Sequence, residues 1–80
     1  MLAYGSGDIE SAVADLDRAL ERGGENPDLL YNRGFAYHEM GRYADAVNDF
    51  TRALELPGVD RAELTHRREL SRRALAATAA

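Results

Sequence analysis

The chain has 80 residues, enough for one small domain whose hydrophobic core is near the minimum for independent folding. It contains no cysteine for disulfides or thiolate metal sites, and its net charge of −4 argues against general polyanion binding. No apolar run approaches the length of a membrane span, and the first residues lack the basic-then-apolar pattern of a signal peptide. We therefore expect a cytoplasmic protein that does not interact with membranes.

Residues 1–25 predict a helical unit that lacks most of its first helix. Residues 1–4 are expected to be the last turn of a helix too short to be stable by itself, and Gly5, Ser6 and Gly7 the turn after it. Asp8 then caps a helix that ends at Gly23 and Gly24, since glycine tolerates the left-handed conformation that closes helices. This helix carries six apolar residues at helical spacing: Ile9, Ala12, Val13, Leu16, Ala19 and Leu20.

Residues 26–58 predict two amphipathic helices folded back on each other. Asn26 is expected to cap the first helix, with Pro27 at its first position, where the missing amide proton costs nothing. A turn at Gly41 and Arg42 separates it from the second helix. The apolar seam between them has the following members: Leu30, Gly34, Tyr37, Tyr43, Ala46, Val47, Phe50, Ala53, Leu54 and Leu56. Gly34 and Ala46 are small, so the helices are expected to approach closely there.

Residues 59–80 predict a last helix over about 60–77. Asp60 and Glu63 have the spacing of a capping box. The segment holds five arginines and three acids, whereas residues 1–59 hold eleven acids and five arginines. Its apolar stripe is modest and its other side is polar, as is typical of the terminal helix of a solenoid. The stripe consists of Leu64, Leu70, Ala74 and Leu75.

The central hairpin resembles the tetratricopeptide repeat, a helix-turn-helix unit of about 34 residues. Gly34, Tyr37, Ala46 and Phe50 stand where the pattern requires them, whereas Leu30 replaces a tryptophan, Arg33 a leucine, and the proline has moved to Pro57. A shift by one repeat length also matches the chain with itself: Gly7 with Gly41, Ala12 with Ala46, Val13 with Val47, Asp15 with Asp49, Arg18 with Arg52, Ala19 with Ala53, Leu20 with Leu54 and Glu21 with Glu55.

The resemblance implies an all-α fold of about four helices, built as a fragment of an α-solenoid. Residues 1–25 would be a truncated first repeat, residues 26–58 a complete repeat, and residues 59–80 a C-terminal capping helix.

Candidate chemistry is scarce, so we expect neither an enzyme nor a cofactor. His38 and Glu39 begin like a zinc-protease motif, but Arg42 occupies the position of the second histidine. His66 is the only other histidine, and no nucleophile with a neighbouring base can be assembled around it.

The resemblance implies that a protein or peptide partner binds the concave face. The candidate residues are Tyr31, Asn32, Phe35, His38, Glu39, Arg72 and Arg73. The alternative for Tyr31 and Phe35 is packing against neighbouring helices, because aromatic residues at helical spacing are usually core. Asn32 matches an asparagine that some family members use to hold a terminal carboxylate. Ala62 and His66 stand where such a clamp needs basic residues, which disfavours it.

Two functions follow from these patterns. The first is a protein-interaction module of the tetratricopeptide type. The second is a nucleic-acid-binding or regulatory segment that uses the arginine-rich last helix. Acids between these arginines and the acidic body of the chain disfavour nucleic acid as a partner.

Self-association is also predicted, because the first helix has more apolar surface than one neighbour covers. A homodimer would bury Ile9, Val13, Leu16 and Leu20 of two copies across a two-fold axis. The alternative sets the basic last helix of one copy against the acidic body of another.

Overall fold

The computed structural model of the protein describes residues 6–79. Four α-helices follow one another in this part of the chain: α1 (Ser6–Gly23), α2 (Pro27–Glu39), α3 (Tyr43–Leu54) and α4 (Arg61–Ala79). Residues 6–79 contain no strand, and the predicted all-α fold with tetratricopeptide-like helix hairpins is confirmed. The division into 1–25, 26–58 and 59–80 stays a prediction.

Capping side chains and a glycine turn determine where α2 and α4 begin and where α2 ends. The Asn26 side chain accepts hydrogen bonds from the N–H groups of Asp28 and Leu29, at 2.9 and 3.2 Å, and so caps α2. The Glu63 N–H donates to Asp60 Oδ1 over 3.1 Å, which caps α4. Gly41, between α2 and α3, has a φ of 81°, which favours glycine. The predicted caps at Asn26 and Asp60 and the central turn are therefore confirmed.

The start of α1 differs from the prediction. Ser6 and Gly7 belong to the helix, so the turn expected at these residues is wrong, and Asp8 lies in the first helical turn instead of capping it. An acidic residue in a first turn favours the helix through its dipole, a role that does not require the capping position. The expected helical stub at residues 1–4 lies outside the described residues.

The hairpin of α2 and α3 contains the core of the protein. Leu30, Ala46 and Phe50 are at most 1% exposed. A Cβ atom on Gly34 would lie 2.8 Å from Phe50 Cε1, which is closer than carbon atoms approach in proteins. The predicted close approach at Gly34 is therefore confirmed, with the Phe50 ring as the neighbouring group.

The helices pack in chain order, α1 on α2, α2 on α3 and α3 on α4, with a smaller contact between α2 and α4. Leu64 of α4 joins the core cluster. Leu70 and Leu75, predicted to share its buried stripe, are each 37% exposed, and Ser71 is buried in their place. Leu64 and Ser71 are thus the α4 residues that are buried, and α1 is the first of the described helices in the row.

Candidate protein-binding groove

An apolar groove of about 330 Å³ lies between α1 and α2. We call it the α1–α2 groove, and its lining residues are Asp8, Ile9, Ala12, Asn32, Phe35, Ala36 and Glu39. Ile9 and Ala36 are half-buried, and the Phe35 side chain is 40% exposed. Its polar lining residues are two acids and one amide. The groove therefore suits an apolar segment that carries basic groups at its edges.

Asn32, Phe35 and Glu39 are the predicted partner-binding residues that the structure brings together. Asn32 and Glu39 are exposed, as a binding residue must be before its partner arrives. On the side of Phe35 that faces α4, the Arg67 guanidinium lies 5.4 Å from the ring centroid. This cation–π contact orients the ring at the edge of the groove.

Tyr31, predicted to bind a partner, makes its contacts within the chain. Its ring packs edge-on against Phe50 with 5.9 Å between centroids, and its hydroxyl donates to Glu63 Oε2 over 2.7 Å. Glu63 also accepts a hydrogen bond from Arg67 Nε at 2.9 Å. The Glu63 side chain thus joins α4 to α2, while its backbone N–H donates to the capping residue Asp60.

The same cluster shifts three pKa values. The hydrogen bond to Glu63, with burial, raises the pKa of the Tyr31 hydroxyl. The hydrogen bonds from Tyr31 and Arg67 lower the pKa of the Glu63 carboxyl. The pKa of Arg67 is raised, chiefly by its bond to Glu63. At neutral pH the phenol is therefore a donor and the carboxylate an acceptor, so the α2–α4 contact is complete.

His38 is also occupied within the chain. Its Nδ1 lies 2.8 Å from the hydroxyl of Ser71, which is fully buried, and its ring packs edge-on against Tyr43 with 5.0 Å between centroids. Arg72 and Arg73 are exposed on α4 and do not line the α1–α2 groove. Arg72 lies 3.5 Å from Glu69 on the same helix.

The residues predicted for self-association differ in burial. Val13 is 7% exposed, whereas Leu20 is half-buried and packs against the core cluster. Ile9 and Leu16 are half-buried, and Ile9 lines the groove. Ala12 and Ala36 also line the groove. The sequence identified Ala12 only as an apolar residue of the first helix, and it did not identify Ala36.

A buried ion network holds the helices that form the groove, and the sequence did not predict it. Arg33 of α2 donates through Nε and Nη2 to the two carboxylate oxygens of Asp49 on α3, both at 2.8 Å. Its Nη1 donates to Asp17 of α1 over 2.7 Å. The Asp49 side chain is 1% exposed and that of Arg33 15%. The bonds to Asp49 raise the pKa of Arg33, whose charge therefore persists despite burial.

Residues 6–79 contain neither a membrane-spanning helix nor a cluster of metal ligands. No helix in this part of the chain is both long and apolar enough to cross a membrane. The same residues bring together no group of three histidine or acidic side chains that could hold a metal ion.

Comparison with known proteins identifies the family of the chain. The family described as "Tetratricopeptide repeat" matches residues 27–56, and that described as "TPR repeat" matches residues 3–41. The "Hsp70-Hsp90 organizing protein 1" of Glycine max is 38% identical over 53 residues, and the "Hsp70-Hsp90 organizing protein" of Triticum aestivum is 36% identical over the same length. Each match covers 66% of this chain but 9% of the relative. No solved structure matches. The two family matches, on a row of four helices whose sequence repeats at the spacing of the family, show that the chain belongs to the tetratricopeptide repeat family.

Proposed function

We propose that the protein is a non-enzymatic protein-interaction module that binds one helix of a partner in the α1–α2 groove. The observation that supports this is the unequal burial of two equivalent alanines. A shift by one repeat length pairs Ile9 and Ala12 of α1 with Tyr43 and Ala46 of α3. In the complete hairpin, Ala46 is 0% exposed, whereas Ala12 is exposed. The exposed surface around Ala12 in the groove is therefore equivalent to a surface of α3 that is buried against another helix.

The charges of the groove define the kind of helix. Asp8 and Glu39 are exposed acids, and Asn32 adds a polar group. A helix with a face of alanine and leucine and with arginine or lysine at its edges would bury the apolar lining and pair with these acids. Asn32, Phe35 and Glu39 are therefore the proposed contact residues on α2.

The plant relatives are named as organizers of Hsp70 and Hsp90, and an adaptor role agrees with the proposed module. We propose a helix as the ligand instead of a terminal carboxylate, because Ala62 and His66 stand where a carboxylate clamp needs cations. Nucleic acid is disfavoured, since Arg61 and Arg67 donate hydrogen bonds within the chain and residues 1–59 carry eleven acids against five arginines. A cytoplasmic location stays a prediction.

The test uses two synthetic helix-forming peptides that share a leucine and alanine face, one flanked by arginines and the other by glutamates. Ala12→Arg places bulk and positive charge in the groove. Ala14→Arg is the matched control, because Ala14 is exposed on the same helix and does not line the groove. Fluorescence anisotropy with labelled peptide gives the affinities.

We expect the arginine-flanked peptide to bind the wild type and the Ala14→Arg variant equally. The Ala12→Arg variant should bind about tenfold more weakly, equivalent to roughly 1.4 kcal/mol. The glutamate-flanked peptide should bind the wild type more weakly than its basic counterpart. Equal binding of the basic peptide by the two arginine variants would refute the groove as the site.

A further inference from the structure

We propose that the α1–α2 groove binds the C-terminal half of α4 from a second copy of this chain, in a head-to-tail contact. This inference rests on the proposed function of the groove and names its occupant. It chooses between the two arrangements that the sequence left open, a symmetric dimer and a contact between opposite ends of the molecule.

The C-terminal half of α4 presents a face that the chain leaves uncovered. Arg72, Leu75, Ala76 and Ala79 have the spacing i, i+3, i+4 and i+7, which places them on one side of the helix. All four are exposed. Beside Leu75, the small side chains of this face allow another helix to approach closely. Ala12 and Ala36 of the groove are small as well and allow the same close approach. Arg73 adjoins this face.

The length of α4 makes this face accessible. The helix has 19 residues and α3 has 12, a difference of about 10 Å at 1.5 Å per residue. Ser71 contacts His38, the penultimate residue of α2, and residues 75–79 are all exposed. The last turns of α4 therefore extend past the neighbouring helices.

The repeat also identifies α4 as a suitable helix. The same shift by one repeat length pairs Leu30 of α2 with Leu64 of α4, and both are buried. α2 and α4 therefore occupy the same position in successive repeats, and both pack on α3. Residues 74–79 continue α4 beyond the segment that matches α2, so the end of this helix is free of the contacts that hold its first half.

Charge supports the same arrangement. The groove carries Asp8 and Glu39, and the exposed end of α4 carries Arg72 and Arg73. Along the chain, the residues up to 59 hold eleven acids and five arginines, and the remainder five arginines and three acids. Opposite ends of two copies therefore attract each other, whereas two acidic α1 faces repel. A symmetric contact is further weakened because Val13 is already buried within the chain and part of Leu20 packs against the core cluster.

Two variants that each disable one side of the contact test the proposal. Ala12→Arg blocks the groove and leaves α4 intact, and Leu75→Glu disables α4 and leaves the groove intact. Sedimentation velocity at roughly 0.5 mM protein suits the weak association expected of a small interface. Circular dichroism checks that both variants keep their helicity.

We expect the wild type and the Ala14→Arg control to associate, and each of the two interface variants alone to be monomeric. An equal mixture of the two should form a species of about twice the 8.8 kDa mass of one chain, because one intact groove then meets one intact α4. Raising the salt from about 0.05 to 0.5 M should reduce the association constant severalfold, since exposed charges are screened.

Three outcomes would overturn the proposal: a monomeric wild type, association that survives Leu75→Glu but not Ala12→Arg, or two monomeric variants that do not combine. The peptide assay separates these failures from failure of the groove itself. If the basic peptide still binds the wild type and is rejected by Ala12→Arg, the groove stands and only its occupant is wrong. If the peptide does not bind, the proposed function fails as well.

Discussion

The ion pair between Arg33 and Asp49 is the contact whose loss we expect to cost most stability. Replacing Arg33 with leucine, the residue that the repeat pattern has at this position, removes both hydrogen bonds to Asp49. The Asp49 carboxylate, 1% exposed, is then left without its partner. Replacing Asp49 with alanine is less severe, because Arg33 keeps its bond to Asp17, whose side chain is 45% exposed.

The expected magnitudes follow from these burials. Breaking a buried ion pair from one side costs about 3 to 5 kcal/mol, because an uncompensated charge stays buried. The free energy of unfolding of a native protein is about 0.05 to 0.15 kcal/mol per residue, which gives roughly 4 to 12 kcal/mol for the 80-residue chain. Arg33→Leu therefore removes about a quarter or more of the stability of the protein. The double variant with Asp49→Ala retains no buried unpaired charge and should regain about 2 kcal/mol relative to Arg33→Leu alone.

Urea unfolding followed by far-ultraviolet circular dichroism measures these differences. Arg52→Leu is the control, because its ion pair with Glu25 joins side chains that are 38% and 47% exposed and should contribute about 0 to 1 kcal/mol. The reasoning is refuted if Arg33→Leu costs no more than Arg52→Leu, or if adding Asp49→Ala to Arg33→Leu lowers the stability further.

Three other predictions concern close packing, pH and polyanions. Gly34→Ala should lower the melting temperature by an amount equivalent to about 1 to 3 kcal/mol, because the new methyl group meets the Phe50 ring; a gain in stability would contradict the contact. The bond from Tyr31 lowers the pKa of Glu63, so its contribution is present above the ordinary pKa of 4.5 and is lost as the pH falls through the lowered value. In the Tyr31→Phe variant, the free energy of unfolding measured in urea should therefore change less with pH over this acidic range than in the wild type. An unchanged slope would argue against the hydrogen bond. The protein should pass through a heparin column at moderate salt, whereas retention would support the alternative of nucleic-acid binding through α4.

The helices could be predicted because their signals are local. Asn26 as a cap, Gly41 as a turn and the self-similarity at one repeat length each depend on a few neighbouring positions or on a repeated spacing. Arg33 and Asp49 are 16 residues apart, and only the packed helices show that an arginine in place of a leucine pairs with a buried acid. Likewise, His38 and Ser71 are 33 residues apart. The spacing of residues on one helix does not reveal which neighbouring helix occupies each side.

The predicted partner-binding residues thus require a test that separates packing from binding, and Asn32 and His38 provide it. His38→Ala removes the partner of the buried Ser71 hydroxyl and should cost about 1 to 3 kcal/mol of stability in urea. Asn32→Ala changes an exposed side chain and should alter stability by less than about 0.5 kcal/mol. Because Asn32 lines the groove, its loss should instead weaken the arginine-flanked peptide severalfold at unchanged helicity. A stable His38→Ala variant that loses peptide binding, beside an Asn32→Ala variant that retains it, would move the binding surface from the α1–α2 groove to the side of α2 that faces α4.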